Sequence, residues 1–204
     1  MNQGVLSSPG DLLRGVERLT WSRKKRGPAP VEKWEPPFCG DIDMRIARDG
    51  VWYYMGSPIG RIAMVQMFAS VLRRDADGRY YLVTPHEKVG VKVDDAPFVA
   101  IEMKVEGNGR EQILSFRTNV DDWVTVDAAH PLRMTLKPET QEPSPYVLVR
   151  GRLESLVNRA IFYDLVELCV DEPVDGVYMF GVWSSGVFFP FMPSNQVGND
   201  RCAT

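Results

Sequence analysis

The chain has 204 residues with an apolar content of 44%, which suits one large folded domain or two small ones. Its formal net charge of −3 excludes a globally basic nucleic-acid-binding protein, because sequence-independent binding to DNA or RNA requires a positive field. Three scattered cysteines and two histidines provide no clustered ligands for structural zinc. With no signal-peptide pattern and no run of about 18 apolar residues, we expect a reduced, cytoplasmic protein without a membrane span, metal or cofactor.

The first predicted elements are a short helix and an extended arm. Ser8–Leu19 begins with a serine cap and a proline and has apolar residues at helical spacing, which predicts an amphipathic helix. The chain is then basic at Arg23–Arg26 and rich in proline, as is typical of an extended arm; the helix and the arm together occupy residues 1–37. The basic run could contact nucleic acid, a membrane surface or an acidic partner, or could simply be solvated.

The folded body begins with a predicted hairpin and helix. Ile42–Ile46 and Val51–Met55 are strand-like and flank an Asp-Gly hairpin turn. The apolar spacing then becomes helical over Pro58–Arg73, before the strand-like stretch "RYYLVT". These elements predict a first α+β unit over residues 38–85.

The rest of the chain predicts a curved antiparallel sheet with a long helix, forming a second unit over residues 86–204. Leu153–Val170 has an apolar stripe at helical spacing, and a hairpin through Ser184–Gly186 follows it. The strand-like stretches are "KVGVKV", "FVAIEMKV", "QILSFRT", "WVTVD", "LRMTL", "YVLVR", "VYMFGVW" and "VFFPF".

A hairpin, a glycine, a helix and a strand follow one another twice, which predicts an α+β fold of two small units with a repeated core. Arg61 follows Gly56 in the first unit, and Arg159 follows Gly151 in the second. If the units face each other, these arginines and Arg150 could line a shared cleft for a phosphorylated or carboxylated ligand. Scattered surface ion pairs are the alternative.

The stretch "GSPIGR", Gly56 to Arg61, has two interpretations. A helix N-terminus with a nearby glycine exposes free amides that bind phosphate, and Arg61 adds further donors. Equally, Ser57 could cap the helix with Pro58 as its first residue, and no ligand would be needed. The stretch lacks the Lys-Ser/Thr pair of a Walker loop and the three glycines of a dinucleotide fingerprint.

Residues able to perform acid-base chemistry are densest around His86 and Glu87, yet neighbours on a strand point to opposite faces and cannot form one relay. The pair Asp94-Asp95 precedes "APF" and is typical of a turn. The "WSSGV" stretch lacks the glycines of a nucleophile elbow. We therefore assign no catalytic residue and favour a non-enzymatic protein, with hydrolase or transferase activity left open.

A series of ordered motifs resembles a known family. The stretches are "FCGDIDMRI", "DGVWYYMGSPIGR", "LVTPHEKVGVKVDDAPFVA", "LSFRTN", "HPLRM" and "PYVLVRGRLESLVNRAIFYDLVE". Together they resemble the proteobacterial family called domain of unknown function 1285, over about Phe38 to Phe191.

The resemblance implies two small α+β units, the second with a pleckstrin-homology-like sheet and helix, and no established enzymatic activity. It also implies a signalling role with a nucleotide-like ligand in the cleft between the units. His86 stands where the family pattern has a small apolar residue. By motif position alone, the resemblance makes candidate ligand-binding residues of Gly56, Ser57, Arg61, Glu87, Lys88, Arg150 and Arg159.

Two hypotheses follow. The first is a cytoplasmic, non-enzymatic module that binds a small anionic, nucleotide-like ligand and acts in signalling. The second is a protein–protein interaction module without a small ligand, which uses the curved sheet and the proline-rich arm.

Overall fold

The computed structural model describes residues 29–137, 140 and 142–196, which form parts of two compact units. The first unit comprises the described residues up to Pro97 with Gly151–Leu153, and the second comprises the rest. The predicted N-terminal helix and the basic run lie outside the described residues. Within the described residues, no helix has the length and apolar character needed to cross a membrane.

The first unit is a six-stranded sheet with one α-helix on its apolar face. The strand order is β3-β2-β1-β6-β5-β4, and every neighbouring pair is antiparallel except β1 and β6, which are parallel. The elements are β1 (Phe38–Ile46), β2 (Trp52–Tyr54), β3 (Ser57–Pro58), α1 (Ile62–Ser70), β4 (Leu72–Arg74), β5 (Tyr80–Val83) and β6 (Lys88–Val93).

The predicted hairpin is confirmed by the pairing of β1 with β2. The predicted helix over Pro58–Arg73 was too long at both ends. Ser57 and Pro58 pair with β2 at the sheet edge, where the missing amide of proline costs no internal hydrogen bond. Leu72–Arg74 pairs with β5 on the other edge. The expected unit boundary at residue 85 also differs from the structure, because β6 pairs with β1 and β5 of the first unit.

The core of the first unit lies between its sheet and α1. The rings of Trp52 and Phe68 stack at 6.3 Å with an interplanar angle of 14°. Met44, Ile46 and Leu82 are fully buried around them.

The second unit contains a six-stranded sheet, a three-stranded sheet and one α-helix. The larger sheet has the order β10-β11-β12-β7-β8-β9, and the smaller has the order β13-β14-β15. The elements are β7 (Phe98–Glu106), β8 (Ile113–Thr118), β9 (Trp123–Thr125), β10 (Leu132–Leu136), β11 (Pro143–Arg150), β12 (Leu153–Val157), α2 (Arg159–Glu167), β13 (Val170–Val174), β14 (Val177–Ser184) and β15 (Val187–Pro193).

Two expectations for the second unit were wrong. The sheet is not wholly antiparallel, because β12 and β7 run parallel. The long helix over Leu153–Val170 is a strand followed by a shorter helix. Asn158 separates the two, and its side chain caps α2 by accepting a hydrogen bond from the Ile161 amide at 2.9 Å. The hairpin through Ser184–Gly186 is confirmed by the pairing of β14 with β15.

The two six-stranded sheets have the same strand order. In each, the first and last strands pair in parallel at the centre, and the other strands extend outward to the two edges. The helices do not follow this repeat. Helix α1 lies between the third and fourth strands of its sheet, whereas α2 follows the sixth, so the predicted equivalence of the two helices is wrong.

Candidate functional site

The polar face of the first sheet carries the candidate site. Side chains alternate between faces along a strand, so the residues opposite the buried core lie together on the other face. Strand pairing places Asp41 of β1 and Tyr81 of β5 on either side of Gly90 in β6. Lys92 of β6 pairs with Arg45 of β1 further along the same face.

A cavity of about 380 Å³ opens beside this point. Its lining comes from Asp41 and Ile42 of β1, from the Gly78–Tyr80 segment that enters β5, and from Gly90–Val93 of β6. Its charged lining residues are one carboxylate, Asp41, and the two cations in those segments. The volume falls within the usual range for small-molecule sites, about 300–1,000 Å³.

Gly90 allows an ion pair to lie directly on the sheet. Arg79 donates from Nη2 to Asp41 Oδ1 at 2.5 Å. A Cβ atom at Gly90 would lie 2.0 Å from Asp41 Oδ1 and 3.0 Å from Arg79 Nη2, so a side chain at this position would displace the pair. Glycine at this position leaves room for the ion pair to lie directly over the backbone.

Aromatic rings surround the Arg79 guanidinium, whose carbon lies 5.8 Å from the Phe38 ring centroid and 5.4 Å from that of Tyr81. The negative charge of Asp41 raises the pKa of Arg79, so the side chain stays cationic. The hydrogen bond that Tyr81 Oη donates to Asp77 raises the pKa of Tyr81. The Nε and Nη1 groups of Arg79 make no hydrogen bond with any described residue. These donors are available to a ligand.

A second group of charges on this face is structural. Arg73 is buried, and it donates to Asp75 at 2.6 Å and to the carbonyl oxygens of Val31 and Trp34 at 2.8 and 2.7 Å. Burial acts to raise the pKa of Asp75, but the hydrogen bonds and charges of Arg73 and Lys88 outweigh it, and the pKa is lowered. The group fixes the residues before β1 against β4.

Family models match almost all of the described chain. Residues 29–96 match the domain of unknown function (DUF1285), N-terminal domain, and residues 97–191 match the protein of unknown function (DUF1285), C-terminal domain. The chain belongs to the DUF1285 family. The two matches meet at the boundary between the two compact units.

Two crystal structures of DUF1285 family proteins are similar to this chain. The protein from Silicibacter pomeroyi DSS-3 is 54% identical, with a TM-score of 0.78 over 88% of this chain and 96% of that chain. The protein from Shewanella baltica OS155 is 26% identical, with a TM-score of 0.49 over 62% of this chain and 91% of that chain. None of the curated proteins matches the chain.

The DUF1285 motif "GSPIGR" does not form the helix start that its sequence suggests. Gly56 lies in the β2–β3 turn with a φ of 74°, and Ser57 lies in β3, so Ser57 does not cap α1. Arg61 occupies the capping position, and its carbonyl accepts from the amides of Met64 and Val65. The Arg61 side chain is exposed and makes no hydrogen bond or ion pair with any described residue. Arg61 is therefore the residue of this motif that lies at the N-terminus of α1.

Glu87 and Lys88 lie far from that motif in the sheet. Three inter-strand steps separate β6 from β3, which corresponds to about 14 Å. Lys88 binds Asp75 at 3.0 Å and lies 4.5 Å from the Tyr81 ring centroid. The main-chain oxygen of Glu87 accepts from the Thr84 amide in the β5–β6 turn. These two residues therefore do not join Gly56 and Ser57 in one site.

The two candidate ligand-binding arginines of the second unit, Arg150 and Arg159, have partners inside that unit. Arg150 donates from Nη1 to Asp122 at 2.5 Å, and its guanidinium carbon lies 5.0 Å from the Phe98 ring centroid. Arg159 begins α2 and donates from Nε to the Tyr163 hydroxyl at 3.0 Å. Arg150 thus takes part in an ion pair with Asp122, which was the alternative to a ligand-binding role for the arginines.

Among the described residues, no histidine ring is hydrogen-bonded to a serine hydroxyl or a cysteine thiol. His130 Nδ1 lies 3.1 Å from Asp127, but no hydrogen bond connects this histidine to a described serine. Burial raises the pKa of the Cys169 thiol to about 12, which makes it a poor nucleophile. Among the described residues, no group of three or more potential metal ligands converges.

Sequence reasoning missed the residues of the cavity itself: Asp41, Arg79, Gly90 and Lys92. One signal was available, because a glycine inside a strand pattern such as "KVGVKV" often marks a close approach of other atoms to the backbone. The partners in that approach are 49 and 11 positions away in the chain. Only the strand pairing identifies them.

Proposed function

We propose that this DUF1285 protein is a non-enzymatic module that binds a small anionic ligand in the cavity of its first unit. The observation that supports this function is the cavity over Gly90, with Arg79 and Lys92 in its wall. We place the module in the cytoplasm, since the free thiols of Cys39 and Cys169 suit a reducing compartment.

The two cations have donors to offer an anion. Arg79 uses only Nη2 for Asp41. The Lys92 side chain is 74% exposed, and its nearest carboxylate oxygen, on Asp94, is 3.7 Å away. Charge-assisted hydrogen bonds from such groups are about twice as strong as neutral ones. An anionic group in the cavity would therefore gain direct contacts with both side chains.

The remaining wall suits the uncharged part of a ligand. Ile42, Val91 and Val93 provide apolar atoms, and Tyr80 provides a ring. A nucleotide-like molecule, as the family resemblance implies, has both an anionic group and a flat apolar part. In a signalling role, occupancy of the cavity would be the signal. The proposal does not depend on the pleckstrin-homology-like form expected for the second unit, because a fold does not specify a ligand.

A thermal-shift panel of nucleotides, phosphorylated metabolites and dicarboxylates tests this function. A ligand at one hundred times its Kd stabilises the folded state by about 2.7 kcal/mol, which shifts the Tm by several degrees. We expect Arg79→Gln to abolish the shift, because Arg79 lines the cavity. Arg61→Gln should retain the shift. It is the matched control, because Arg61 is also an exposed arginine of the first unit but does not line the cavity. A panel without any shift, or a full shift in Arg79→Gln, would contradict the proposal.

A protein–protein interaction module is the second candidate, and the β2–β3 turn supports it. Met55 has a φ of 50° and is 65% exposed. Turns of this kind favour Asn, Asp or Gly, so an exposed methionine here costs stability without an internal benefit. Ile62 at the start of α1 is also exposed, at 56%. A partner with apolar groups and a carboxylate for Arg61 would match these residues.

Met55→Asn separates this candidate from the first. The substitution suits the turn, so the protein stays folded while the apolar tip is removed. In cross-linking with mass spectrometry in cells, the second candidate predicts a reproducible partner for the wild type that Met55→Asn loses and Arg79→Gln keeps. An identical set of cross-links in all three proteins would exclude this surface as the docking site.

A further inference from the structure

The cavity presents a carboxylate to its ligand as well as two cations. Asp41 accepts from Arg79 through Oδ1, whereas its Oδ2 makes no hydrogen bond with any described residue. A carboxylate has about four acceptor positions, so most of the accepting capacity of Asp41 is unused. A ligand in this cavity therefore encounters free acceptors beside free donors.

The position of the carboxylate is fixed by the backbone below it. The Asp41 Cγ atom lies 3.1 Å from where a Gly90 Cβ would be, so the carboxyl group lies directly over this glycine. Both residues line the cavity. Asp41 is thus part of the wall, and its charge acts on any group that enters.

A ligand with only negative groups would gain from the cations and lose to the carboxylate. Like charges at short distance repel, and the repulsion is stronger in a partly enclosed site than in water. A ligand that adds an N–H donor would bind Asp41 as well as Arg79, and the repulsion would become a hydrogen bond between charged groups.

We propose that the ligand is zwitterionic, with a carboxylate or phosphate for Arg79 and Lys92 and an ammonium or amine group for Asp41. This inference rests on the proposed function, and it makes Asp41 the residue that determines specificity. The alternative role for Asp41 is to position Arg79 alone. In that case an amine on the ligand would make no difference to affinity.

Matched ligand pairs distinguish these roles by isothermal titration calorimetry. Glutamate and glutarate share both carboxylates and differ in the ammonium group, and phosphoethanolamine and ethyl phosphate form the corresponding phosphate pair. We expect the wild type to bind the amino member of at least one pair about tenfold more tightly than its amine-free partner. The pair that shows the preference identifies the anionic group as carboxylate or phosphate.

Variants then assign the preference to Asp41. Asp41→Asn keeps the size of the side chain and removes its charge, so we expect the preference to fall below about twofold. Gly90→Ala displaces the carboxylate while keeping every charge, and it should act in the same direction. Asp43→Asn is the matched control, because Asp43 is exposed on the same strand but does not line the cavity.

Each outcome decides the inference. Equal affinities within both pairs, or a preference that persists in Asp41→Asn, would overturn it. If amine-free anions bind and depend on Arg79 while the amine has no effect, the zwitterionic ligand is wrong and the proposed function stands. If no anion of either kind binds, both are wrong.

Discussion

The two six-stranded sheets share a strand order but use their central parallel pair differently. In the first unit, β1 and β6 meet at Asp41 and Gly90, where an exposed ion pair and a cavity lie on the sheet. In the second unit, β12 and β7 meet at Ser155 and Phe98, which are both buried. The same topology therefore supports an open polar site in one unit and a closed core in the other.

The elements that pack on each sheet, and not its strand order, account for this difference. In the second unit, the β14–β15 hairpin is hydrogen-bonded to the larger sheet, since Ser184 donates to the Val126 carbonyl at 2.7 Å and accepts from the Leu114 amide at 2.9 Å. In the first unit, α1 packs on the apolar face, and the other face keeps its charges. Strand order alone therefore does not determine whether a sheet carries an open polar face.

The largest effect is expected from a core truncation confined to the first unit. Phe68→Ala removes the ring that stacks on Trp52 and leaves a cavity, which should cost about 3–5 kcal/mol. By hydrogen exchange, amides of β1, β5 and β6 should lose more protection than those of β7 and β8. Equal loss in both sheets would show that the two units do not have separate stabilities.

The next effect concerns the buried charge of the first sheet. Arg73→Leu leaves the Trp34 carbonyl without its side-chain donor, the Val31 carbonyl with the Trp34 amide alone and Asp75 with Lys88 alone, and should cost about 2–4 kcal/mol in chemical denaturation. Arg74→Leu, on the neighbouring position and less buried, is the control.

The same variant tests the pH dependence. The folded-state pKa of Asp75 is lowered, so the stability it contributes is present above its unfolded pKa of about 3.9 and is lost as the pH falls through the folded value. Arg73→Leu removes a cause of that lowering. The loss of stability in acid should therefore be smaller in the variant than in the wild type; an unchanged slope below pH 4 would contradict the assignment.

A smaller effect is expected at the hydrogen bonds that attach the β14–β15 hairpin to the larger sheet of the second unit. Ser184→Ala leaves the buried Leu114 amide without its acceptor, whereas the Val126 carbonyl keeps the Ser185 hydroxyl as a donor; we expect a cost of about 1–3 kcal/mol. Ser115→Ala removes an exposed hydroxyl that bonds Thr125 on the same sheet and should change stability by less than about 0.5 kcal/mol. Similar losses of stability in the two variants would show that the Ser184 hydrogen bonds do not contribute more than an exposed pair.

The smallest effect compares the hairpin turns. The second unit places Asp175 and Ser185 at positive φ before a glycine, whereas the first places Met55 there. Met55→Asn should raise the unfolding free energy by about 0.5–1 kcal/mol, since asparagine tolerates the left-handed backbone. Asp175→Asn should have little effect. A destabilised Met55→Asn protein would show that the methionine has an internal packing role.

The sequence predicted most strands, because alternating apolar residues and Asp-Gly or Ser-Gly turns are local signals. It failed at the helix ends. Ser57 and Pro58 resemble a helix start, but the pairing of β3 with β2 overrides that local preference. Leu153, Leu156 and Val157 have helical spacing, and only the pairing of β12 with β7 makes them part of a strand.

The site was less predictable than the fold, for a physical reason. Motif position selects residues that are close in sequence, such as Gly56 and Arg61, whereas the cavity is made by pairing of distant strands. Asp41 and Arg79 come together only because β6 lies between β1 and β5. Among these residues, Gly90 had a local signal, since a glycine inside a strand often marks a close approach. The sequence does not show that Asp41 and Arg79 are the residues that approach it.

An NMR titration tests the central claim that the first unit binds its ligand in the cavity. With the strongest ligand of the thermal-shift panel, we expect saturable shifts of the amides of Gly78–Tyr80 and Gly90–Val93, and their loss in Arg79→Gln. Saturable shifts centred on Gly60–Ala63 at the start of α1, or no shifts at the cavity, would contradict the account.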